Sequence, residues 1–220
     1  MQKKCKLKQR SQNERPLEYL LHLPKEYDQS SNQKWPLILF LHGRGESGID
    51  LEIVKRQGLP KEIEEGGEFP FIIASPQCSE DSFWTKELDP LERLLSEIQA
   101  NYNVDQSRIY LTGLSMGGYG TWHLAARSPE TFAAIAPVCG GGEVEKAETI
   151  KDTPAWVFHG DQDDIVPIQR SKEMVEAIKK HGGDIHFTIY EGVGHDSWTE
   201  TYRNPKLYEW FLQHTNRLRD

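Results

Sequence analysis

Three kinds of side chain in the second half of the chain could together make an activated nucleophile. Ser115 stands between glycines in GLSMG, and His195 lies in EGVGHDSW. Between them, WVFHGDQDDIVP carries three carboxylates, those of Asp161, Asp163 and Asp164. A serine hydroxyl is a weak nucleophile at neutral pH, and it reacts when an imidazole takes its proton and a carboxylate orients that imidazole. These residue types therefore indicate hydrolysis through an activated serine.

The surroundings of Ser115 fit a tight turn from a strand into a helix. RIYLT before GLSMG is rich in strand formers, and TWHLAARSPE after it forms helices. Gly113 and Gly117 complete the G-x-S-x-G nucleophile elbow, in which a strained turn exposes the serine hydroxyl. A β-carbon at either glycine would crowd the neighbouring strand or helix. A glycine-rich loop with a capping serine is the alternative, but the flanking strand and helix favour a nucleophile at the N-terminus of a helix.

The acid and the base follow Ser115 in the order serine, aspartate, histidine, which is typical of α/β-hydrolases. Each lies just after an apolar run that predicts a strand. His195 could instead be an ordinary histidine of a surface loop, and the three aspartates could form a solvated turn. Chain order and placement favour the catalytic interpretation, with one of the three carboxylates as the acid.

The elements that must position these side chains are read from apolar periodicity. Several apolar runs are short, continuous and bounded by Gly, Pro or Asp, as expected for strands buried on both faces. Strands that alternate with helices predict an α/β fold, with a mostly parallel central sheet covered by helices on both faces. The predicted strands are 17–23, 36–41, 69–75, 108–112, 132–138, 155–159 and 185–190, and the predicted helices are 89–100, 116–127, 169–181 and 205–217.

The first of these helices has the clearest start signals. Asp89 can cap it, Pro90 suits its first position and Glu92 could complete a capping box. The polar segments 28–34 and 140–152 predict loops. Nothing marks a second domain, so we expect one domain over residues 1–220.

Composition excludes several kinds of partner and site. The net charge of -8 argues against nucleic acid and acidic membrane surfaces. The three cysteines, Cys5, Cys78 and Cys139, form no CxxC pair, so we expect neither disulfides nor a zinc ribbon. The basic N-terminus lacks the apolar run of a secretory signal, and no stretch approaches the length of a membrane span. These features predict a cytoplasmic protein without membrane insertion. A secreted protein whose signal peptide had been removed would have the same sequence features.

Four motifs together carry a family resemblance. HGRGESG, GLSMGG, FHGDQDDIVP and GVGHDSW resemble those of α/β-hydrolase esterases of the phospholipase/carboxylesterase and depolymerase-like type. The resemblance implies an α/β-hydrolase fold and, through the HG-x-x-D-x-x-V-P pattern, Asp163 as the acid, with His195 as the base. It also implies an oxyanion hole made by the backbone N–H groups of Arg44 and Met116. Whether the Arg44 guanidinium also meets the substrate stays open.

Other residues near the motifs have competing interpretations. Trp84 and Trp198 could be packing residues or could line the substrate pocket. His42 and His159 are interpreted as braces of the turns at strand ends. No HExxH or H-x-H pattern supports a metal, and Ser115 would then be unexplained, so we expect no metal and no cofactor. Cys78 and Cys139 also follow strands, but Ser115 occupies the nucleophile position, which disfavours a cysteine mechanism of the dienelactone-hydrolase kind.

The predicted activity is that of a serine carboxylester hydrolase that works through an acyl-enzyme. The stretch between Ser115 and Asp163 must hold a helix, a strand and a loop, which leaves little room for a large helical lid. We therefore expect small, short-chain esters as substrates. A feruloyl or acetyl esterase of plant polysaccharide, a thioesterase and a serine peptidase use the same triad and remain alternatives. A non-catalytic binding protein on this scaffold would normally lack a triad member. Oligomeric state is not predicted.

Overall fold

An eight-stranded sheet forms the centre of the molecule in the computed structural model, which describes residues 2–10 and 15–216. The strands lie in the order β1-β2-β4-β3-β5-β6-β7-β8. They are β1 Lys3–Lys6, β2 Glu18–His22, β3 Trp35–Leu41, β4 Ile72–Pro76, β5 Val104–Leu114, β6 Ala134–Val138, β7 Ala155–Gly160 and β8 Ile185–Tyr190. The helices are α1 Gly58–Glu64, α2 Leu88–Asn101, α3 Met116–Arg127, α4 Ala147–Ile150, α5 Gln169–Lys180, α6 Trp198–Arg203 and α7 Pro205–Leu212.

The sheet is mostly parallel, as predicted. Strands β3 to β8 pair in parallel, and β2 pairs antiparallel with both β1 and β4. The strands β3, β4 and β6 are buried along their whole length, which explains their continuous apolar runs. Because parallel strands end at one edge, the loops that follow β3, β5, β7 and β8 meet there.

Helices cover both faces of the sheet. Side chains of β3 alternate between two apolar clusters: Leu39 joins the cluster that contains the buried stripe of α2, and Phe40 joins the cluster that contains Leu207 and Phe211 of α7. Cross-face alternation of this kind follows from the period of two along a strand. The expected α/β-hydrolase architecture is therefore confirmed.

Several element predictions differ from the structure. The lysine-rich strand β1 was not predicted; it is a four-residue edge strand with mostly exposed side chains, which leaves almost no apolar signal. Helices α1 and α6 were also missed. The predicted loop at 140–152 contains a 3-10 turn, Val144–Lys146, followed by the short α4. The last predicted helix, 205–217, ends at Leu212, and residue 217 lies outside the described residues.

The predicted capping box of α2 does not form. The helix begins at Leu88, with Glu87 as its N-cap residue and no side-chain cap. Asp89 and Glu92 instead pair with Arg127 at the end of α3. Tertiary ion pairs thus use the two carboxylates that the sequence pattern assigned to a local helix cap.

The connection from β6 to β7 is short and carries no long insertion. Its helical residues are the 3-10 turn Val144–Lys146 and the four residues of α4. This agrees with the expectation of no large lid between Ser115 and Asp163.

Candidate active site

Ser115 lies in a strained turn between β5 and α3. Its backbone has φ 52° and ψ −114°, and its N–H donates to Val138 O at 2.9 Å. Positive φ is rare for a residue with a side chain and is held only by firm surroundings. The glycines are required: a β-carbon at Gly113 would lie 2.4 Å from Gly117 O, and one at Gly117 would lie 1.9 Å from Leu41 O. The nucleophile elbow therefore forms as its sequence predicts.

The Gly117→Ala substitution is expected to destabilise the fold. Its methyl group would overlap the Leu41 carbonyl of β3, so the strand or the start of α3 must move. We expect a loss of about 3 kcal/mol or more in the free energy of unfolding, measured by urea denaturation. Gly45→Ala is the matched control, since no described atom lies within 4 Å of a β-carbon there. Equal stability of the two variants would contradict this packing.

Asp163 follows β7, and its side chain is fully buried, with four nitrogen atoms around the carboxylate. Oδ1 accepts from the backbone N–H groups of Ile165 at 3.0 Å and Val166 at 2.9 Å. Oδ2 lies 2.8 Å from His195 Nδ1 and 3.1 Å from His159 Nε2. Burial alone would raise the pKa of Asp163, but the hydrogen bonds from His195 and from the two backbone groups outweigh it and hold the pKa below its usual value.

His195 connects Asp163 to Ser115. Its Nε2 lies 2.9 Å from Ser115 Oγ, while its Nδ1 faces Asp163. The His195 side chain is 20% exposed, so solvent and small molecules reach it. The structure thus brings the three sequence-predicted triad residues into one hydrogen-bonded chain. The neighbouring carboxylates point elsewhere: Asp161 accepts from Gly192 N–H at 2.8 Å, and Asp164 is exposed.

Trp198 packs against the imidazole of His195. The two rings meet edge to face, with centroids 5.2 Å apart and an interplanar angle of 89°. The indole N–H of Trp198 donates to Gln57 Oε1 at 3.1 Å, which joins the His195 loop to the start of α1. Trp198 is half-buried, so part of its surface faces solvent beside His195. Sequence analysis missed Gln57, because no local pattern links it to a residue so far along the chain.

The two expected oxyanion donors lie on adjacent turns. The His42–Arg44 turn follows β3 and packs beside Leu114: a β-carbon at Gly43 would lie 2.7 Å from Leu114 Cδ1. Met116 is the first residue of α3, where backbone N–H groups have no partner within the helix. Within residues 2–10 and 15–216, neither the Arg44 nor the Met116 N–H donates to another backbone carbonyl. Neither N–H group is thus committed to the backbone, as an oxyanion hole requires.

The Arg44 side chain contacts the loop before Trp84. Its guanidinium donates to Glu80 O at 2.6 Å and to Ser82 O at 2.7 Å, and it lies 4.7 Å from the centroid of the Phe83 ring. These contacts tie the His42–Arg44 turn to that loop. The side chain therefore helps to fix the backbone on which the N–H group is carried.

Trp84 and His42 make buried hydrogen bonds that hold the His42–Arg44 turn in place. Trp84 has no exposed surface, and its indole N–H donates to His42 O at 2.9 Å. His42 Nε2 accepts from Cys78 N–H at 2.9 Å, and Nδ1 donates to Gly43 O at 2.6 Å. Burial lowers the pKa of His42 to about 4, so the ring is neutral. The expectation that Trp84 lines the substrate pocket is not supported, whereas His42 braces its turn as expected.

Cys139, the residue after β6, is a buried cysteine close to Asp163 and His195. Its thiol, Asp163 and His195 offer three ligand atoms within 4.8 Å of one another, the one such group found among the described residues. Burial raises the pKa of Cys139 to about 12, and a thiol must lose its proton to bind a metal. The three residues therefore fit a hydrogen-bonded site better than a metal centre. Neither Cys139 nor Cys78 occupies the elbow.

In the described part of the chain, none of the helices has the length and apolar character needed to cross a bilayer.

Two curated proteins illustrate the similarity of this chain to others. It is 30% identical to the bifunctional acetylxylan esterase/xylanase XynS20E of Neocallimastix patriciarum, over 80% of this chain and 26% of that protein. It is 27% identical to the probable feruloyl esterase C of Aspergillus terreus, over 78% of this chain and 64% of that protein. The chain thus spans less than two thirds of the length of either relative.

Solved structures and a family profile add to this. A crystal structure of a thermostable esterase superposes with a TM-score of 0.85 at 34% identity, covering 97% of this chain and 63% of that one. The feruloyl esterase module from Clostridium thermocellum, an S954A mutant complexed with sinapinate, has a TM-score of 0.73 at 16% identity, over 100% of this chain and 90% of that one, and shows the fold alone. Residues 75–209, which include Ser115, Asp163 and His195, match the profile of the dienelactone hydrolase family, and the chain belongs to that family.

Proposed function

We propose that this protein is a serine carboxylester hydrolase acting on small, short-chain esters. The observation that carries the proposal is the continuous chain from Ser115 Oγ to His195 Nε2, at 2.9 Å, and from His195 Nδ1 to Asp163 Oδ2, at 2.8 Å. An alcohol, an imidazole and a carboxylate in this order can move a proton away from the serine as it attacks.

In the first half of the reaction, Ser115 Oγ attacks the ester carbonyl carbon while His195 Nε2 takes its proton. The carbonyl π electrons move to the oxygen, and the N–H groups of Arg44 and Met116 donate to the resulting oxyanion; losing one such donor typically costs about 3–4 kcal/mol. The tetrahedral intermediate then collapses. The bond to the alkoxy oxygen breaks, and His195 returns its proton to that oxygen. The alcohol departs, and the acyl group remains bound to Ser115 Oγ as the acyl-enzyme.

In the second half, water replaces the alcohol. His195 takes a proton from water as the water oxygen attacks the acyl carbonyl, and it returns the proton to Ser115 Oγ when the serine ester bond breaks. Asp163 keeps the hydrogen on Nδ1 of His195 throughout and stabilises the imidazolium that forms in each half. No step calls for a cofactor.

The preference for small esters rests on the openness around the base. His195 is one-fifth exposed, and the β6–β7 connection holds only a 3-10 turn and α4, too little to cover a long acyl chain. The acetylxylan esterase and feruloyl esterase names of the two relatives favour acetyl or feruloyl esters of plant polysaccharide as a second candidate. Such substrates are bulky on one side of the ester and need an accessible site.

A p-nitrophenyl ester series of increasing acyl length tests the proposal. We expect the highest kcat/KM for acetyl or butyryl esters and a decline toward long chains, because the β6–β7 connection is too short to bury a long acyl group. Methyl ferulate and acetylated xylan, measured alongside, separate the general esterase from the polysaccharide esterase. A preference for long-chain esters would contradict the proposal, and so would hydrolysis that persists unchanged in Ser115→Ala.

A further inference from the structure

Asp163 receives hydrogen bonds from two imidazoles on the same carboxylate oxygen. Oδ2 lies 2.8 Å from His195 Nδ1 and 3.1 Å from His159 Nε2. The described triad uses only the first. We propose that His159 is a positioning residue, which holds Asp163 Oδ2 in place and moderates how strongly that oxygen binds His195. This inference rests on the proposed function of the triad.

The hydrogen on His159 Nε2 is fixed by a second neighbour. The same nitrogen lies 2.9 Å from Val166 O, and a carbonyl oxygen can only accept. Nε2 therefore carries a hydrogen, which it shares between Val166 O and Asp163 Oδ2. On the other side of the ring, Nδ1 lies 2.8 Å from Ser171 Oγ, which itself lies 2.9 Å from Gly140 O. The ring is thus held from both sides.

Burial makes this arrangement rigid and dry. The side chains of His159 and Asp163 have no exposed surface, and Ser171 is also fully buried. Hydrogen bonds in such surroundings are stronger than in water, and an unmade one is costly. His159 does not reach solvent, so it acts on the reaction only through Asp163.

The effect on chemistry follows from competition for one oxygen. Each donor to Oδ2 stabilises the negative charge of Asp163 and weakens its attraction for a proton on His195. Removing the His159 donor should leave Asp163 a stronger partner for protonated His195, so that the base stays protonated to higher pH. In a profile of kcat/KM against pH, the acid limb, where activity rises as His195 loses its proton, should then move to higher pH.

The other groups that face Asp163 do not titrate near neutral pH. Tyr119 of α3 and Cys139 are close enough to Asp163 to be influenced by its charge. Burial raises the pKa of the Tyr119 phenol, and burial raises the pKa of the Cys139 thiol to about 12, so both stay neutral. The two imidazoles of His159 and His195 are therefore the side chains whose hydrogen bonds to Asp163 Oδ2 the substitutions alter.

The experiment compares two amide substitutions of His159 that differ in reach. His159→Gln places an amide N–H near the position of Nε2, whereas the shorter His159→Asn places it near Nδ1 and leaves Asp163 without this donor. We expect His159→Asn to lower kcat by roughly tenfold, the size of one hydrogen bond to a charged group, with KM unchanged. We expect its acid limb to move up by roughly half a pH unit, and His159→Gln to recover most of both effects.

His22→Asn is the matched control, because His22 is also a buried histidine but lies on β2, where its ring packs against that of Phe69. It should alter stability without moving the acid limb. The proposal is overturned if His159→Asn and His159→Gln lose the same fraction of kcat while the acid limb of the pH profile stays in place. It is also overturned if His159→Asn keeps the full kcat of the parent. Nitrogen-15 NMR of the parent protein gives an independent test, since an Nε2 without hydrogen at His159 would also overturn it.

Failure of this inference is distinguishable from failure of the proposed function. An active parent protein and an inactive Ser115→Ala variant establish the triad before any pH profile is compared. A parent protein without esterase activity would refute the function itself, whereas an active parent with unshifted His159 variants refutes only the positioning role.

Discussion

Replacing Ser115 with alanine is expected to lower kcat for a short-chain ester by about four to six orders of magnitude. The substitution removes the only oxygen that His195 Nε2 contacts in the triad, at 2.9 Å, and no other described side chain takes its place. KM should change little, since Trp198 and the proposed oxyanion donors, the N–H groups of Arg44 and Met116, remain. Steady-state kinetics and covalent labelling by a fluorophosphonate probe measure the two consequences, and the label should be lost completely.

The control for this substitution is Ser96, an exposed serine of α2. Ser96 lies on α2 and donates to Glu92 O at 2.9 Å, away from the elbow. Ser96→Ala should keep both activity and labelling. Labelling that survives in Ser115→Ala would identify a different nucleophile, with Cys78 and Cys139 the first to test by further substitution.

The elbow was predictable because its requirements are local. Gly113 and Gly117 are needed by contacts made within the turn and with β3, and a strand followed directly by a helix supplies the rest. The buried parallel strands were also predictable, since burial on both faces produces continuous apolar runs. Together with the order of the motifs, these features were enough to place Ser115, Asp163 and His195 at one edge of the sheet.

Partners brought in by distant segments were not predictable. Asp89 and Glu92 looked like helix-capping residues, but Arg127 of α3 takes both in the folded chain. Trp84 lies in a motif near the site, yet packing turns its ring inward to His42 O. In each case the local pattern offers an acceptable use for the side chain, and a tertiary contact absent from the pattern decides.

His159 lies between these two situations. Its place at the end of β7 indicated a bracing role, and the structure does give it buried hydrogen-bond partners. The contact with Asp163 has a local signal in the four-residue spacing across the strand end. Its sharing of one carboxylate oxygen with His195 has none, because that depends on how the loop after β8 folds over the loop after β7.

Asp163→Asn is expected to lower kcat by about four orders of magnitude while leaving the protein folded. The two oxygens of Asp163 have different neighbours: Oδ1 accepts two backbone N–H groups, and Oδ2 faces two imidazoles. An asparagine will therefore place its oxygen at the Oδ1 position and its NH₂ group toward His195. Nδ1 must then accept rather than donate, so Nε2 carries the hydrogen and cannot take the proton of Ser115.

The neighbouring aspartates supply matched controls for this prediction. Asp164 is exposed and adjacent in sequence, and Asp161 accepts from Gly192 N–H of the loop after β8. Asp164→Asn and Asp161→Asn make the same chemical change without touching His195, and both should stay within about twofold of the parent kcat. Thermal unfolding of all three variants separates lost chemistry from lost structure. A comparable loss of kcat in Asp164→Asn would assign the orienting carboxylate elsewhere. So would an Asp163→Asn variant that keeps more than a tenth of the parental kcat, because the amide at 163 has no other way to keep the hydrogen on Nδ1 of His195.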